Sequence, residues 1–308
     1  MSDSRTLETG GRAALLLAIE TACATLESAR RRIDDLNVFP VPDGDTGTNM
    51  ARTAEAVAAA LREQGPADAA THAAVVTRAA LMGARGNSGI ILSQIVRGAV
   101  EALAGSASAE RGLDGSAVTR ALQAASDAAY AAVSVPVEGT MLTVVRAMSD
   151  GTGQSGAGDL EGALAAALAA GERALARTPE QLPRLREAGV VDAGGAGLVE
   201  LVRGLLAGVR GEPAPAPTEL IEPATSVMLD ALHEGASSYR YCTSFLVEGP
   251  EIDRASLEAS LAAFGDSILV VGAAPAFKAH VHTDDPGGAL RVGTAAGVIG
   301  GVEVSDMH

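Results

Sequence analysis

The sequence predicts an all-helical amino-terminal region of about eight helices, followed by a smaller α+β unit. Three observations lead there. Apolar residues recur at helical spacing in one segment after another up to about residue 209. Alternating, β-type runs begin only near residue 235. Between the two lies GVRGEPAPAPTELIEPATS, 208–226, whose Pro213, Pro215, Pro217 and Pro223 favour an extended linker. The expected organisation is a helical domain over 1–209, a linker over 210–226 and an α+β domain over 227–308.

The first helix is expected over 12–36, where Leu15, Ile19, Ala22, Leu26, Ala29, Ile33 and Leu36 follow steps of four and three and share one face. Similar patterns predict helices over 48–63, 70–82, 88–104, 115–132, 139–149, 160–176 and 193–209. The stretches between them are rich in Gly, Ser or Pro, and SDGTGQSGAGD, 149–159, reads as such a connection. Past the linker, YRYCTSFLVEG, SILVVG, FKAHVHT and GGVEVSDM read as strands. Helices over 253–263 and 286–296 separate them, which gives a small sheet covered by two helices.

Composition narrows the function classes. Hydrophobic residues make up 47% of the chain, yet no apolar run reaches the roughly 18 to 20 residues of a membrane helix. MSDSRTLETGG at the start has no apolar stretch of the kind a secretory signal needs. Cys23 and Cys242 stand far apart, so no disulfide framework is expected and a reducing cytoplasm suits the chain. The net charge of −15, the lack of a basic stripe and an aromatic content of 2% argue against nucleic acid as a partner.

The richest polar stretch is NVFPVPDGDTGTNM, 37–50. A turn followed by a helix cap explains part of it, with Asp45, Thr46 or Thr48 meeting the open N–H groups of the next helix. One cap needs one such residue, and this stretch supplies several. A calcium loop of the EF-hand type fails, because the twelfth position from Asp43 is Ala54 rather than Glu. Magnesium fits better, since it takes one or two carboxylates together with substrate phosphates and water. Gly44 lets the backbone turn so that Asp43 and Asp45 converge.

Phosphate also needs donors. No GxxxxGK[ST] occurs, but Gly83-Ala84-Arg85-Gly86-Asn87-Ser88-Gly89 leads straight into the apolar helix IILSQIV. Backbone N–H groups and the helix dipole favour an anion there, although small residues also serve close helix packing. Val137-Glu138-Gly139-Thr140-Met141 and Val191-Asp192-Ala193-Gly194-Gly195-Ala196-Gly197 repeat the pattern at two later helix starts. Arg85 and Arg146 are the cations nearest these turns and are candidates for steadying a phosphoryl group, against the commoner role of surface arginines. In the second unit His280 and His282 alternate on one strand and share a face, and Cys242 lies in the first strand. Two imidazoles and a thiolate suffice for Zn²⁺ with one open position; exposed histidines beside a buried, inert cysteine are the alternative.

The strings NVFPVPDGDTGTNM, GARGNSGIILSQI, EGTMLTVVRA and DAGGAGL, in this order, resemble the nucleotide-binding domain of dihydroxyacetone kinases. They resemble more closely the A subunit of bacterial fatty acid kinase. The resemblance implies an eight-helix barrel binding ATP or ADP at one rim through magnesium held by Asp43 and Asp45. Asn37 stands where dihydroxyacetone kinases use a further aspartate, so it is a weaker magnesium candidate. Thr46, Thr48, Asn49, Met50, Gly86, Asn87, Ser88, Gly89, Gly139, Thr140, Met141, Asp192, Gly194 and Gly195 would line the nucleotide. The resemblance further implies zinc on Cys242, His280 and His282, and a homodimer.

The implied function is phosphorylation of a fatty acid carboxylate to an acyl phosphate. No lipid-sized apolar pocket is evident in the sequence, and the family uses a separate fatty-acid-binding protein as partner. That kinase family also carries a third, carboxy-terminal domain associated with partner docking, beyond what these 308 residues match. Nucleotide binding is expected even without it. The rival readings are a kinase subunit of the dihydroxyacetone type and a non-catalytic nucleotide-binding regulatory or scaffold protein.

Overall fold

The computed structural model describes residues 3–65, 67–105, 113–217 and 239–307, with backbone alone for 3–11. Eight long helices and two short ones make up the first part: α1 (Asp3–Asp35), α2 (Thr46–Glu63), α3 (Ala69–Gly83), α4 (Gly86–Ala104), α5 (Gly115–Ala132), α6 (Met141–Ser155), α7 (Leu160–Ala176), α8 (Thr178–Gln181), α9 (Pro183–Ala188) and α10 (Ala193–Arg210). Four of them start on an aspartate whose carboxylate accepts a backbone N–H two or three residues on: Asp68, Asp114, Asp159 and Asp192. Leu26, Ile33, Leu36, Met50, Leu92, Val144, Met148 and Val199 fill the core that these helices enclose.

The longest contact runs between α1 and α10 and is built from small residues. Ala18 and Ala22 of α1 meet Gly204 and Gly208 of α10 so closely that a Cβ on Gly204 would lie 2.5 Å from the Ala22 Cα. Thr21 and Thr25 sit in the same seam, and each hydroxyl donates to the carbonyl four residues back at 2.8 Å. The helices can approach because no polar group is stranded between them.

Two expectations from periodicity are corrected. Leu15 lies outside the buried face, 44% exposed, because α10 covers the stripe through Ala18, Ala22 and Leu26 instead. Residues 149–155 continue α6 rather than forming a connection. Met148, Ser149 and Thr152 are buried, and the Thr152 hydroxyl donates to the Ser149 carbonyl at 2.7 Å. Burial of that face overrides the low helix propensity of the glycines around it.

The second part contains β1 (Tyr241–Glu248), α11 (Arg254–Leu261), β2 (Gly265–Ala273), β3 (Ala276–Thr283), α12 (Pro286–Ala296) and β4 (Val298–Asp306). The sheet is antiparallel with order β2-β3-β1-β4. One face, with Phe245, Val247, Val270, Ala279 and Val281, packs on Leu257 and Leu261 of α11 and Ala289 of α12. The opposite face, with Leu246, Leu269 and Val271, packs on Leu81, Ala84, Ile90 and Ala132 of the helical part. Both faces are therefore covered, and β3 is buried from Phe277 to Thr283. Of the expected linker, 212–217 form neither helix nor strand, and 218–226 lie outside the described residues, as does the expected start of the second domain at 227.

The α1–α10 seam gives a direct test. Gly204→Ala is expected to lower the unfolding free energy by about 1–3 kcal/mol, because the new methyl meets backbone that cannot yield. Gly158→Ala, where a Cβ meets nothing within 4 Å, is expected to stay within about 0.5 kcal/mol of the parent. Equal effects in denaturant titrations of the two variants would contradict this packing.

Candidate functional site

The loop 36–45 leaves α1, turns at Gly44 with φ +65 and enters α2 at Thr46. Asp45 occupies the N-cap position of α2, yet its side chain makes no capping hydrogen bond. The cap comes from α1: Asp34 accepts the Thr48 N–H at 2.9 Å and the Thr48 hydroxyl at 2.8 Å. The open end of α2 is thus served by a residue that sequence reasoning missed, and both Asp43 and Asp45 remain free of that duty. Only tertiary contact between α1 and α2 reveals it.

Asp43 opens into a cleft and accepts a hydrogen bond from the Asn37 amide. Loss of solvent around it and the Asp45 charge push its carboxyl well above the usual range. Asp45 is half-buried and shifts the same way, again chiefly through lost solvation. Two carboxylates held together without a cationic partner in hydrogen-bond contact fit a hard divalent cation, with the Asn37 side chain as a neutral neighbour.

The cleft has a volume of about 740 Å³ and lies between the two parts of the chain. From the helical side it is lined by Asn37, Asp43, Asp45 and Thr46, by Gly86, Asn87 and Ser88 at the start of α4, by Thr140 and Met141 at the start of α6, and by Asp192 and Gly194 at the start of α10. Asn87 Oδ1 is buried without a hydrogen-bond partner among the described residues. From the sheet side come Cys242, His280 and His282. Apolar walls, which the motifs gave no reason to expect, are supplied by Phe39, Val133, Val135, Ala259 and Ile268.

Strand register explains the second group. Cys242 pairs directly with His282, and Ser244 with His280, so all four side chains stand on the sheet face turned to the helical part. One ligand atom from each of Cys242, His280 and His282 lies within 4.8 Å of the others, as a metal requires. Cys242 Sγ is 3.6 Å and Ser244 Oγ 3.0 Å from His280 Nδ1. His280 Nε2 and His282 Nδ1 are buried with no hydrogen-bond partner among the described residues, although Asp266 Oδ1 approaches the latter at 3.8 Å. Burial lowers the pKa of both imidazoles, keeping lone pairs available. The Cys242 thiol is pushed up to about 12, first by burial and then by the charges of Asp45 and Asp43. A thiol that feels those carboxylates places the two groups in one electrostatic neighbourhood.

Other expected site residues stand behind the cleft or away from it. Thr48 faces Asp34, Met50 is fully buried in the core, and Asn49, Gly89, Gly139 and Gly195 are buried around the helix starts. Arg85 pairs with Glu303 of β4. Arg146 makes a bidentate pair with Glu138 at 2.6 and 2.8 Å and lines a different groove, on the α6–α7 side. Asp192 is nearly enclosed, and its carboxylate braces two helix starts by accepting from the backbone of Gly195 and of Met141. Burial raises its carboxyl to about 7.

A helical part that presents an acidic pair and three polar helix starts to one cleft, closed by a sheet bearing Cys/His/His, defines a two-part kinase-like protein. The chain belongs to the DAK2 domain family: the model of that domain matches residues 40–207. Residues 238–308 match the FakA-like middle domain of fatty acid kinase. Protein YloV of Bacillus subtilis is 34% identical over 322 residues, covering 99% of this chain and 56% of that protein. An uncharacterized protein of Staphylococcus saprophyticus is 34% identical over 287 residues, covering 90% of this chain and 51% of its own length. The chain thus spans about half the length of the curated relatives it matches. The crystal structure of the dihydroxyacetone kinase of C. freundii in its native form aligns with a TM-score of 0.47 and 22% identity, over 63% of this chain and 34% of that one.

Asp192 generates a pH prediction. Its folded-state pKa lies above the unfolded value, so the folded protein binds the proton more tightly and loses stability as pH rises from about 4 to about 7. Asp192→Asn is expected to remove that slope, whatever it does to absolute stability. Parallel stability-versus-pH curves for the two proteins would contradict the assignment.

Proposed function

We propose that this chain is the nucleotide-binding part of a kinase that converts a fatty acid carboxylate, presented by a fatty-acid-binding partner protein, into an acyl phosphate. The observation that carries the reading is the Asp43–Asp45 pair, released from capping by Asp34 and turned into the same cleft as Cys242, His280 and His282. The match of the second part to the FakA-like middle domain of fatty acid kinase favours a carboxylate acceptor over dihydroxyacetone.

Asp43 and Asp45 would hold Mg²⁺, which supplies positive charge against the phosphates of ATP; Asn37 would contribute a neutral oxygen at most. Backbone N–H groups of Gly86, Asn87 and Ser88 would donate to phosphate oxygens at the positive end of α4. Thr140, Met141 and Gly194 would border the nucleotide, fixed by the Asp192 brace. An acceptor carboxylate oxygen then forms a bond to the γ-phosphorus while the bond to the bridging oxygen breaks, and ADP leaves with the electron pair. The residues contribute positioning and charge, and the apolar walls keep water from competing for the phosphoryl group. Cys242, His280 and His282 would bind Zn²⁺ with its open position facing the cleft.

Calorimetric titration of Mg·ATP tests the nucleotide half. Asp43→Ala and Asp45→Ala are each expected to weaken binding by about tenfold or more, since the cation loses a carboxylate. Binding unchanged in both would sink the proposal. Turnover with a fatty-acid-loaded partner is expected to exceed turnover with dihydroxyacetone, and the reverse order would favour the other kinase class. For the second group, Cys242→Ser and His282→Ala are each expected to lose zinc by elemental analysis. Zinc retained in both would exclude these ligands.

A further inference from the structure

Lys278 is the only lysine in the sequence; every other permanently charged basic side chain is arginine. It lies in β3, which is covered on both faces, and is 1% exposed. Among the described residues its amine has neither a hydrogen bond nor an ion pair. Lysine is almost never buried without a partner, because removing an ammonium from water is costly unless something repays it.

Its position is fixed by register. Lys278 stands opposite Leu246 on one side and Val271 on the other, so the three side chains project from the same sheet face. Leu246 and Val271 pack against Ala84 and Ile90, which bracket the first turn of α4. Lys278 is therefore delivered to the amino end of α4, next to Arg85, which repels it. Arg85 has a counter-charge in Glu303; Lys278 has none. Its strand neighbours on the same face, His280 and His282, line the cleft, as do Gly86, Asn87 and Ser88 of the α4 turn. A lysine ammonium, a helix amino terminus and the orphaned Asn87 side chain thus meet at one place, two of them positive and with no anion between them.

We propose that Lys278 is the sheet's contribution to phosphate binding: its ammonium contacts the terminal phosphate of the nucleotide seated on the first turn of α4. The inference rests on the kinase reading and adds to it a catalytic cation supplied by the second part of the chain. Nucleotide bound without its terminal phosphate leaves the amine unpartnered. The interface between the two parts is then more than a scaffold, since it carries a charge toward the group being transferred.

The sole lysine makes the test specific. In the full 308-residue chain grown with isotope-labelled lysine, the amine gives a single side-chain signal. That signal is expected to shift with magnesium and a non-hydrolysable ATP analogue, and to stay in place with magnesium and ADP. Lys278→Met is expected to weaken the analogue by about tenfold while leaving ADP within about twofold, without lowering the melting temperature of the ligand-free protein. A signal that moves equally with both nucleotides, or a variant that binds both as the parent does, overturns the role of Lys278 alone. A parent chain that binds neither nucleotide overturns the kinase reading, and this inference with it.

Discussion

Two carboxylates on either side of one glycine, held in a cleft without a cation of the protein's own in contact, are the constraint on which the rest of the site depends. Two like unit charges about 4 Å apart repel by about 4 kcal/mol at an effective dielectric of about 20. A helix cap repays only about 1 kcal/mol of that, and here Asp34 already provides it. A chain that keeps both Asp43 and Asp45 in this geometry is arranged around a positive charge from outside. The surrounding donors follow the same logic: three helices begin at the rim, each with its positive end toward the cleft.

The second part of the chain completes the cleft rather than hanging beside it. Leu246, Leu269 and Val271 bury their side chains on α3, α4 and α5, and full burial of each such side chain contributes about 1.5–3 kcal/mol. Around that apolar contact stand the pairs Arg85–Glu303 and Arg78–Glu248, and the Ser134–Glu258 hydrogen bond. Exposed pairs of this kind contribute little energy and mainly fix orientation. Once the sheet is seated, strand alternation does the rest: every second residue of β3 from Lys278 to His282 faces the helical part. The charges of Asp43 and Asp45 then reach Cys242, although roughly two hundred residues separate them in sequence.

Much of this was legible in the sequence, for identifiable reasons. Periodicities of 3.6 and 2 located the long helices and all four strands, because amphipathic faces are written locally. The motif residues of the cleft, from Asn37 to His282, were also nameable, since glycine, carboxylate and imidazole spacings carry chemistry. What escaped depended on contact between distant segments. Asp34 reads as one more charge at a helix end until α2 is docked on α1. Lys278 reads as a polar residue in a strand until both faces of β3 are covered. Arg146 is close to a phosphate-type turn in sequence, yet Glu138 holds it on the far side of α6. The continuation of α6 through residues 149–155 was hidden by its glycines, which burial of Met148 and Thr152 outweighs.

The central claim is that the acidic pair and the Cys/His/His group serve one cleft. It is tested most directly by paramagnetic broadening with Mn²⁺ and ADP on the protein with labelled histidines. Signals of His280 and His282 are expected to broaden first, with His72 on α3 unaffected, and the effect to vanish in Asp45→Asn. Broadening that spares His280 and His282, or reaches all histidines alike, would contradict a shared site.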